Sequence, residues 1–239
     1  MLETLTSGIK KMGLVLTEKQ AQQFQIYYEE LVDWNKRMNL TSITGYEQVQ
    51  IKHFLDSLTL VPAIRDAVGI KADLHLIDVG TGAGMPGIAL KILLPETRVA
   101  LLDSVSKKTA FLQHLKDRMR LDYVNIITGR AEEVGHQPEY RERFDIVVSR
   151  ALTKLPITIE FTLPFCRVGG LTIAQKKGAI GVELSQAARA IDILGGKLRE
   201  VKEVDLQLLE QHLLVLVDKI SPTPGEYPRR TGVPAKRPL

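Results

Sequence analysis

The chain has 239 residues, 44% hydrophobic and 25% charged, a globular balance with room for one large domain or one domain with an extension. Its single cysteine, Cys166, excludes a disulfide framework. No apolar run reaches membrane-span length and no basic-then-apolar leader is present, so a cytoplasmic protein without a membrane partner is expected. A net charge of +4 (32 − 28) suits an anionic partner.

Leu2, Leu5, Ile9 and Met12 fall at helix spacing, and Gly13 ends the run. Thr17 with Gln20 forms a capping box, followed by an apolar stripe of Phe24, Tyr27, Tyr28, Leu31 and Trp34. The stripe reads as packing surface rather than as a platform for stacked bases. Asn39 to Ser42 reads as a turn, and a further helix runs from about 47 to 60. Pro62 is expected to interrupt the stretch after it.

From Leu74 strands and helices alternate. Strands are predicted at 74–79, 98–103, 124–128, 144–149 and 171–175, with helices near 87–94, 106–119, 155–165 and 182–194. Two β-rich stretches, about 197–206 and 211–219, close the sheet as an antiparallel pair, because no helix fits between them. Such alternation predicts an α/β fold with a mostly parallel sheet, whose ligands sit at the carboxyl ends of the strands. Gly80, Asp103, Ala131, Glu132 and Arg150 fall on that rim. The tail from Ser221 holds Pro222, Pro224, Pro228, Pro234 and Pro238. Over residues 225–239, Arg229, Arg230, Lys236 and Arg237 stand against Glu226, a charge of +3 (4 − 1). An extended basic strap is expected there, either solvated or gripping phosphates, with Tyr227 able to stack on a base or pack back.

The first of these strands leads into Asp78-Val79-Gly80-Thr81-Gly82-Ala83-Gly84-Met85-Pro86-Gly87. Closely spaced glycines let a backbone turn sharply and approach a nucleotide-like ligand. Gly82, Gly84 and Gly87 match the dinucleotide fingerprint, while Asp78, Gly80 and Gly82 match the turn of S-adenosylmethionine (SAM) enzymes. Asp103 closes the second strand and suits a ribose in either case. Pro86 lacks the N–H a pyrophosphate would use, and Asp78 brings a carboxylate suited to a sulfonium or amino group; both favour SAM over NAD. A glycine turn with no cofactor is the remaining alternative.

The fourth strand ends Val148-Ser149-Arg150-Ala151-Leu152, without the Asn/Asp-Pro-Pro-aromatic box of enzymes that methylate exocyclic base amines. Cys166 reads as a core residue rather than a nucleophile, and no Cys/His pattern suggests a metal. Arg150 and Lys176-Lys177 end strands at the rim, where they can hold a substrate phosphate or the cofactor carboxylate. His53, near Asp56 and Ser57, is either a helix-surface histidine or an active-site residue. Arg150, His53 and Lys176 are the candidates for the catalytic set, and Lys107 and Lys108 read as surface charge.

Asp78 to Gly87, Leu101-Leu102-Asp103-Ser104, Arg130-Ala131-Glu132-Glu133 and Ser149-Arg150-Ala151 together resemble the bacterial RsmG (GidB) methyltransferases. So do Asn39-Leu40-Thr41-Ser42-Ile43, His53-Phe54-Leu55-Asp56-Ser57-Leu58 and the ending from Tyr227 to Leu239, so the likeness covers nearly the whole chain. The resemblance implies a class I SAM-dependent methyltransferase, Rossmann-like with a seven-stranded sheet. It implies an N-terminal helical extension; with the pattern change and the proline-rich break, the expected division is 1–70 for that extension, 71–220 for the SAM-binding domain and 221–239 for the basic tail. It implies N7 methylation of one guanine in the 530 loop of 16S rRNA, on RNA or a small-subunit particle; a monomer is expected. Cofactor contacts carry over onto Gly80, Met85, Ala131, Glu132 and Arg150, with Asp103 at the ribose and Asp78 and Gly82 in the turn. Met85 stands where Phe or Leu is expected. RNA contacts are expected of Lys176, Lys177, Arg229, Arg230, Lys236 and Arg237. Rival readings are a SAM enzyme acting on another RNA or a small molecule, a non-catalytic SAM- or nucleotide-binding regulator, and an NAD-dependent oxidoreductase.

Overall fold

A computed structural model describes residues 2–70, 73–209 and 211–239. Two helices open the chain, α1 (Glu3–Lys11) and α2 (Glu18–Met38). The capping box forms: Gln20 N donates to Thr17 Oγ1 at 3.2 Å, and Thr17 N donates to Gln20 Oε1 at 2.9 Å. Asn39, in the left-handed conformation, ends α2.

The next helical run comprises α3 (Tyr46–Val49), a π-helical stretch (Gln50–Leu55), α4 (Asp56–Leu58) and α5 (Leu60–Val68). Pro62 does not interrupt it, against expectation. It is the third residue of α5, in the first turn, where the missing N–H breaks no intrahelical bond.

Seven strands come next: β1 (His75–Val79), β2 (Arg98–Asp103), β3 (Val124–Thr128), β4 (Phe144–Arg150), β5 (Cys166–Lys177), β6 (Gly196–Glu203) and β7 (His212–Lys219). Their order in the sheet is β3-β2-β1-β4-β5-β7-β6. β7 runs antiparallel to β5 and β6, and the other pairings are parallel. β5 starts at Cys166 rather than 171, because its pairing with β4 slips between Phe144 and Ile146. Gly169, at φ 82°, lies in that bulge. Helices α6 (Gly87–Leu93), α7 (Ser106–Met119), α9 (Leu155–Thr162) and α10 (Gly181–Ile193) are the crossovers. A short α8 (Ala131–Val134), invisible in the periodicity, lies between β3 and β4.

The N-terminal helices share one apolar core with a face of the sheet: Phe24, Tyr27 and Phe54 pack in the same cluster as Leu76, Leu101 and Ile146. The aromatic stripe is packing surface, with the rings of Phe24 and Phe54 5.0 Å apart and those of Trp34 and Phe111 5.4 Å apart. The boundary expected between 70 and 71 adjoins residues 71 and 72, outside the described residues.

The tail corrects the strap expectation. Proline keeps it out of the sheet, Pro234 sits in the first turn of a short helix, and tertiary contacts dock the stretch from Thr223 to Gly232. The Arg141 guanidinium donates to the carbonyls of Thr223, Pro224 and Tyr227, and His136 Nε2 donates to Pro228 O at 2.7 Å. Arg229 donates to Glu160 from its backbone N (2.9 Å), Nε (2.9 Å) and Nη2 (2.6 Å). Glu160 is fully buried, and a buried carboxylate requires such a cation. Arg229 therefore serves the fold and is not free for phosphate. Arg230, Lys236 and Arg237 remain exposed, the latter two in and just after α11 (Val233–Lys236).

Candidate active site

The glycine turn joins β1 to α6. Gly80 (φ 74°) and Gly82 (φ 61°) occupy the left-handed region. A Cβ on Gly80 would also run into the Leu152 side chain. Most of the turn's N–H groups are consumed internally. Those of Gly80 and Thr81 donate to Leu102 O at 2.8 and 3.0 Å, and that of Gly82 donates to Asp103 Oδ2 at 2.9 Å. At the start of α6, Gly87 N donates to Asp78 Oδ2 (2.8 Å), Ile88 N to Gly84 O (2.7 Å), and Pro86 has no donor. A pyrophosphate needs such donors free, so this turn does not fit a dinucleotide. SAM carries no phosphate and meets no such requirement.

A cavity of about 250 Å³ lies over the turn, lined by Gly80, Asp103, Lys108, Ala131, Glu132 and Phe161 among others. Asp103 is aimed by two backbone donors, with Val105 N on Oδ1 (2.9 Å) and Gly82 N on Oδ2. A carboxylate accepts about four hydrogen bonds, so capacity remains for a ribose diol. Lys108 Nζ stands 3.5 Å from Oδ2, which makes it a lining residue rather than remote surface charge. Ser104, Val105 and Arg130 complete the lining; their place after a strand, and for Ser104 and Arg130 the family-like motifs, are the signals that could have suggested them.

Asp78 is corrected from the cofactor set. Successive strand residues face opposite ways, and Val79 lines the cavity while Asp78 points toward α6. Its Oδ2 accepts from Thr81 Oγ1 (2.6 Å) and Gly87 N, and Oδ1 has no partner among the described residues. Burial pushes its pKa up to about 6. A carboxyl raised above its unfolded value binds protons more readily when folded, so its contribution to stability falls as pH rises from about 4 to about 6. Asp78→Asn should therefore gain on the order of 2–3 kcal/mol on the native protein between pH 4 and pH 7. Urea denaturation at the two pH values checks this, and a constant gap would mean an unperturbed carboxyl.

A second cavity of about 360 Å³ opens beside the first and shares Ala151 with it. Together they reach the roughly 300–1,000 Å³ of ligand sites. Ala151 stands at φ 49°, an unusual conformation for a residue with a Cβ. Arg150 is the hub of the second cavity. Nη1 donates to Lys52 O (2.9 Å) and Asp56 Oδ2 (3.0 Å), and Nη2 stands 3.3 Å from Met85 Sδ and 3.5 Å from His53 Nδ1. Asp56 Oδ1 also pairs with His212 Nδ1 at 2.8 Å. Arg150 thus ties the β4 end to the π-helical stretch.

Both ring nitrogens of His53 are engaged. Nδ1 donates to Lys52 O (3.0 Å), and Nε2 accepts from Thr41 Oγ1 (2.9 Å), whose oxygen in turn accepts from Ile43 N (3.0 Å). Burial, then the Arg150 charge, press its pKa down to about 4, so the ring is neutral at physiological pH. A catalytic base needs a free nitrogen, so His53 is corrected to a holding role. Lys176 pairs with Glu183 (2.7 Å) and donates to Thr153 O (2.9 Å), whereas Lys177 is exposed at the cavity edge.

Of the expected cofactor residues, the first cavity gathers Gly80, Asp103, Ala131 and Glu132. Gly82 acts through its N–H on Asp103. Met85 turns to Arg150, and Arg150 itself faces the second cavity. His212 belongs to that second cavity and does not stand out in the sequence, because only the pairing of β7 with β5 brings it there. Cys166 is buried, and burial pushes its thiol up to about 12, as suits a core residue. No helix among the described residues is long and apolar enough to cross a membrane.

A family model for GidB, described as rRNA small subunit methyltransferase G, matches residues 20–214. The ribosomal RNA small subunit methyltransferase G of Dehalococcoides mccartyi (strain CBDB1) is 48% identical over 239 residues, spanning all of both chains. The protein of the same name from Pelotomaculum thermopropionicum is 45% identical, over 100% of this chain and 99% of its own. Among solved structures, precorrin-6y C5,15-methyltransferase from Geobacter metallireducens superposes with a TM-score of 0.51 at 16% identity, over 70% of this chain and 88% of its own. MtNAS in complex with MTA and tNA gives 0.57 at 14%, over 84% and 71%. At those identities the likeness is one of fold, that of the class I methyltransferases.

Proposed function

We propose that this chain, which belongs to the GidB family of rRNA small subunit methyltransferases, transfers a methyl group from SAM to N7 of one guanine in the 530 loop of 16S rRNA. The observation that carries the reading is the pair of adjoining cavities at the strand ends, one over the glycine turn and Asp103, the other edged by Arg150 and Lys177. When bound, SAM supplies an electrophilic methyl group. Asp103 would hold its ribose, with Gly80, Ala131 and Glu132 around it. The second cavity would take the base, and Lys177 with exposed Arg230, Lys236 and Arg237 would meet phosphates.

Guanine N7 carries an in-plane lone pair and no proton. The chain therefore needs to orient the base and exclude water, and needs no general base. The pocket agrees: His53 is capped and neutral, and Arg150 is held rigidly by Asp56 and the Lys52 carbonyl. The single-turnover rate is expected to be nearly flat from about pH 7 to about pH 9. A tenfold rise per pH unit in that range would mean a base titrating above pH 7 and a different target atom.

Action as a monomer fits a chain whose own residues line both cavities, and an rRNA substrate places that action in the cytoplasm. Methyl transfer from labelled SAM to small-subunit particles and to naked 16S rRNA, each lacking the modification, tests the reading and identifies the substrate form. Absence of SAM binding, or NAD binding in its place, would overturn it.

A further inference from the structure

Glu132 and Ala131 line the first cavity from α8, and Phe161 lines it from α9. Both helices are held from behind by the tail. Gly232 N donates to Glu132 Oε1 at 3.1 Å, and Thr231 Oγ1 donates to Glu133 Oε1 at 3.1 Å. Pro228 accepts from His136, just past α8, and its ring packs where a Cβ on Gly135 would stand. Arg229 clamps Glu160, the residue before Phe161. With one turn and no side-chain cap, α8 depends on tertiary contacts for its placement.

We propose that the segment Pro228 to Gly232 positions the cofactor pocket, bracing α8 and α9 so that Glu132 and Phe161 are preset to receive SAM. The proposal rests on the cofactor reading above. The tail then acts on SAM binding, with Arg229, Thr231 and Gly232 as positioning residues, and its RNA contribution is confined to Arg230, Lys236 and Arg237. One Glu132 carboxylate oxygen is occupied by Gly232 N, which leaves the other directed by that bond rather than free to rotate. Preorganisation of this kind raises affinity by removing ordering costs at the moment of binding.

The test compares the intact chain with a chain ending at Arg230, which keeps the Arg229–Glu160 clamp and loses the contacts to Glu132 and Glu133. Gly232→Ala is the full-length companion. A methyl group there meets nothing within 4 Å, but φ 82° is strained for alanine, so the N–H shifts away from Glu132. SAM affinity by calorimetry is expected to fall about five- to tenfold in the shortened chain and about threefold in Gly232→Ala. Lys236→Ala/Arg237→Ala should keep SAM affinity and reduce the salt dependence of RNA binding. Unchanged SAM affinity in Gly232→Ala and in a folded shortened chain would overturn the brace; if the shortened chain does not fold, Gly232→Ala alone decides. Failure of the intact chain to bind SAM would instead overturn the cofactor reading.

Discussion

Replacing Arg229 with alanine is expected to cost about 3–5 kcal/mol of folding stability, the range for removing one partner of a buried ion pair. Glu160 has no exposed surface, and Nε and Nη2 of Arg229 supply two of its three hydrogen bonds from that residue. Alanine leaves a carboxylate in the interior with only a backbone donor. The melting temperature should fall by roughly 10 °C for a chain of this size. Removing both charges, as in Glu160→Met with Arg229→Met, should recover most of the loss, because the penalty lies in the orphaned charge. Denaturation showing Arg229→Ala within about 0.5 kcal/mol of the native protein would mean the clamp does not form.

The second large effect is on cofactor affinity. Asp103→Ala should weaken SAM binding by on the order of 1.5–3 kcal/mol, or roughly ten- to a hundredfold. The ribose contacts are lost, and Gly82 N and Val105 N lose their acceptor, so the turn loosens as well. Asp103→Asn keeps one acceptor oxygen and should lie between the two. Calorimetry on a folded Asp103→Ala protein with native affinity would remove Asp103 from the site.

Features set by neighbours in the chain are legible in the sequence. The capping box of Thr17 and Gln20, the glycine turn and the acidic end of β2 each depend on residues a few positions apart, and all form as expected. The fold class is legible because strand–helix alternation leaves few topologies. The features that are not legible depend on distant partners. Glu160 and Arg229 are 69 residues apart, so four basic residues in a proline-rich tail look alike although one of them is locked. His212 reaches Asp56 across 156 residues, through a strand inserted between β5 and β6. The inward turn of Asp78 is readable in principle, since period-two alternation places it opposite Val79. Its chemical suitability for a sulfonium points the other way, and the geometry wins. Pro62 misleads because a proline in the first turn looks the same in sequence as one that ends a helix.

The identity of the methylated atom is tested most directly by chemical scission. Small-subunit rRNA from particles lacking the modification, incubated with the protein and SAM, is reduced, treated with amine and mapped for strand breaks. N7-methylguanine makes the strand cleavable, so one enzyme-dependent cut in the 530 loop is expected. Methyl incorporation into rRNA that gives no such cut, or a cut at another guanine, would contradict N7 transfer at that site.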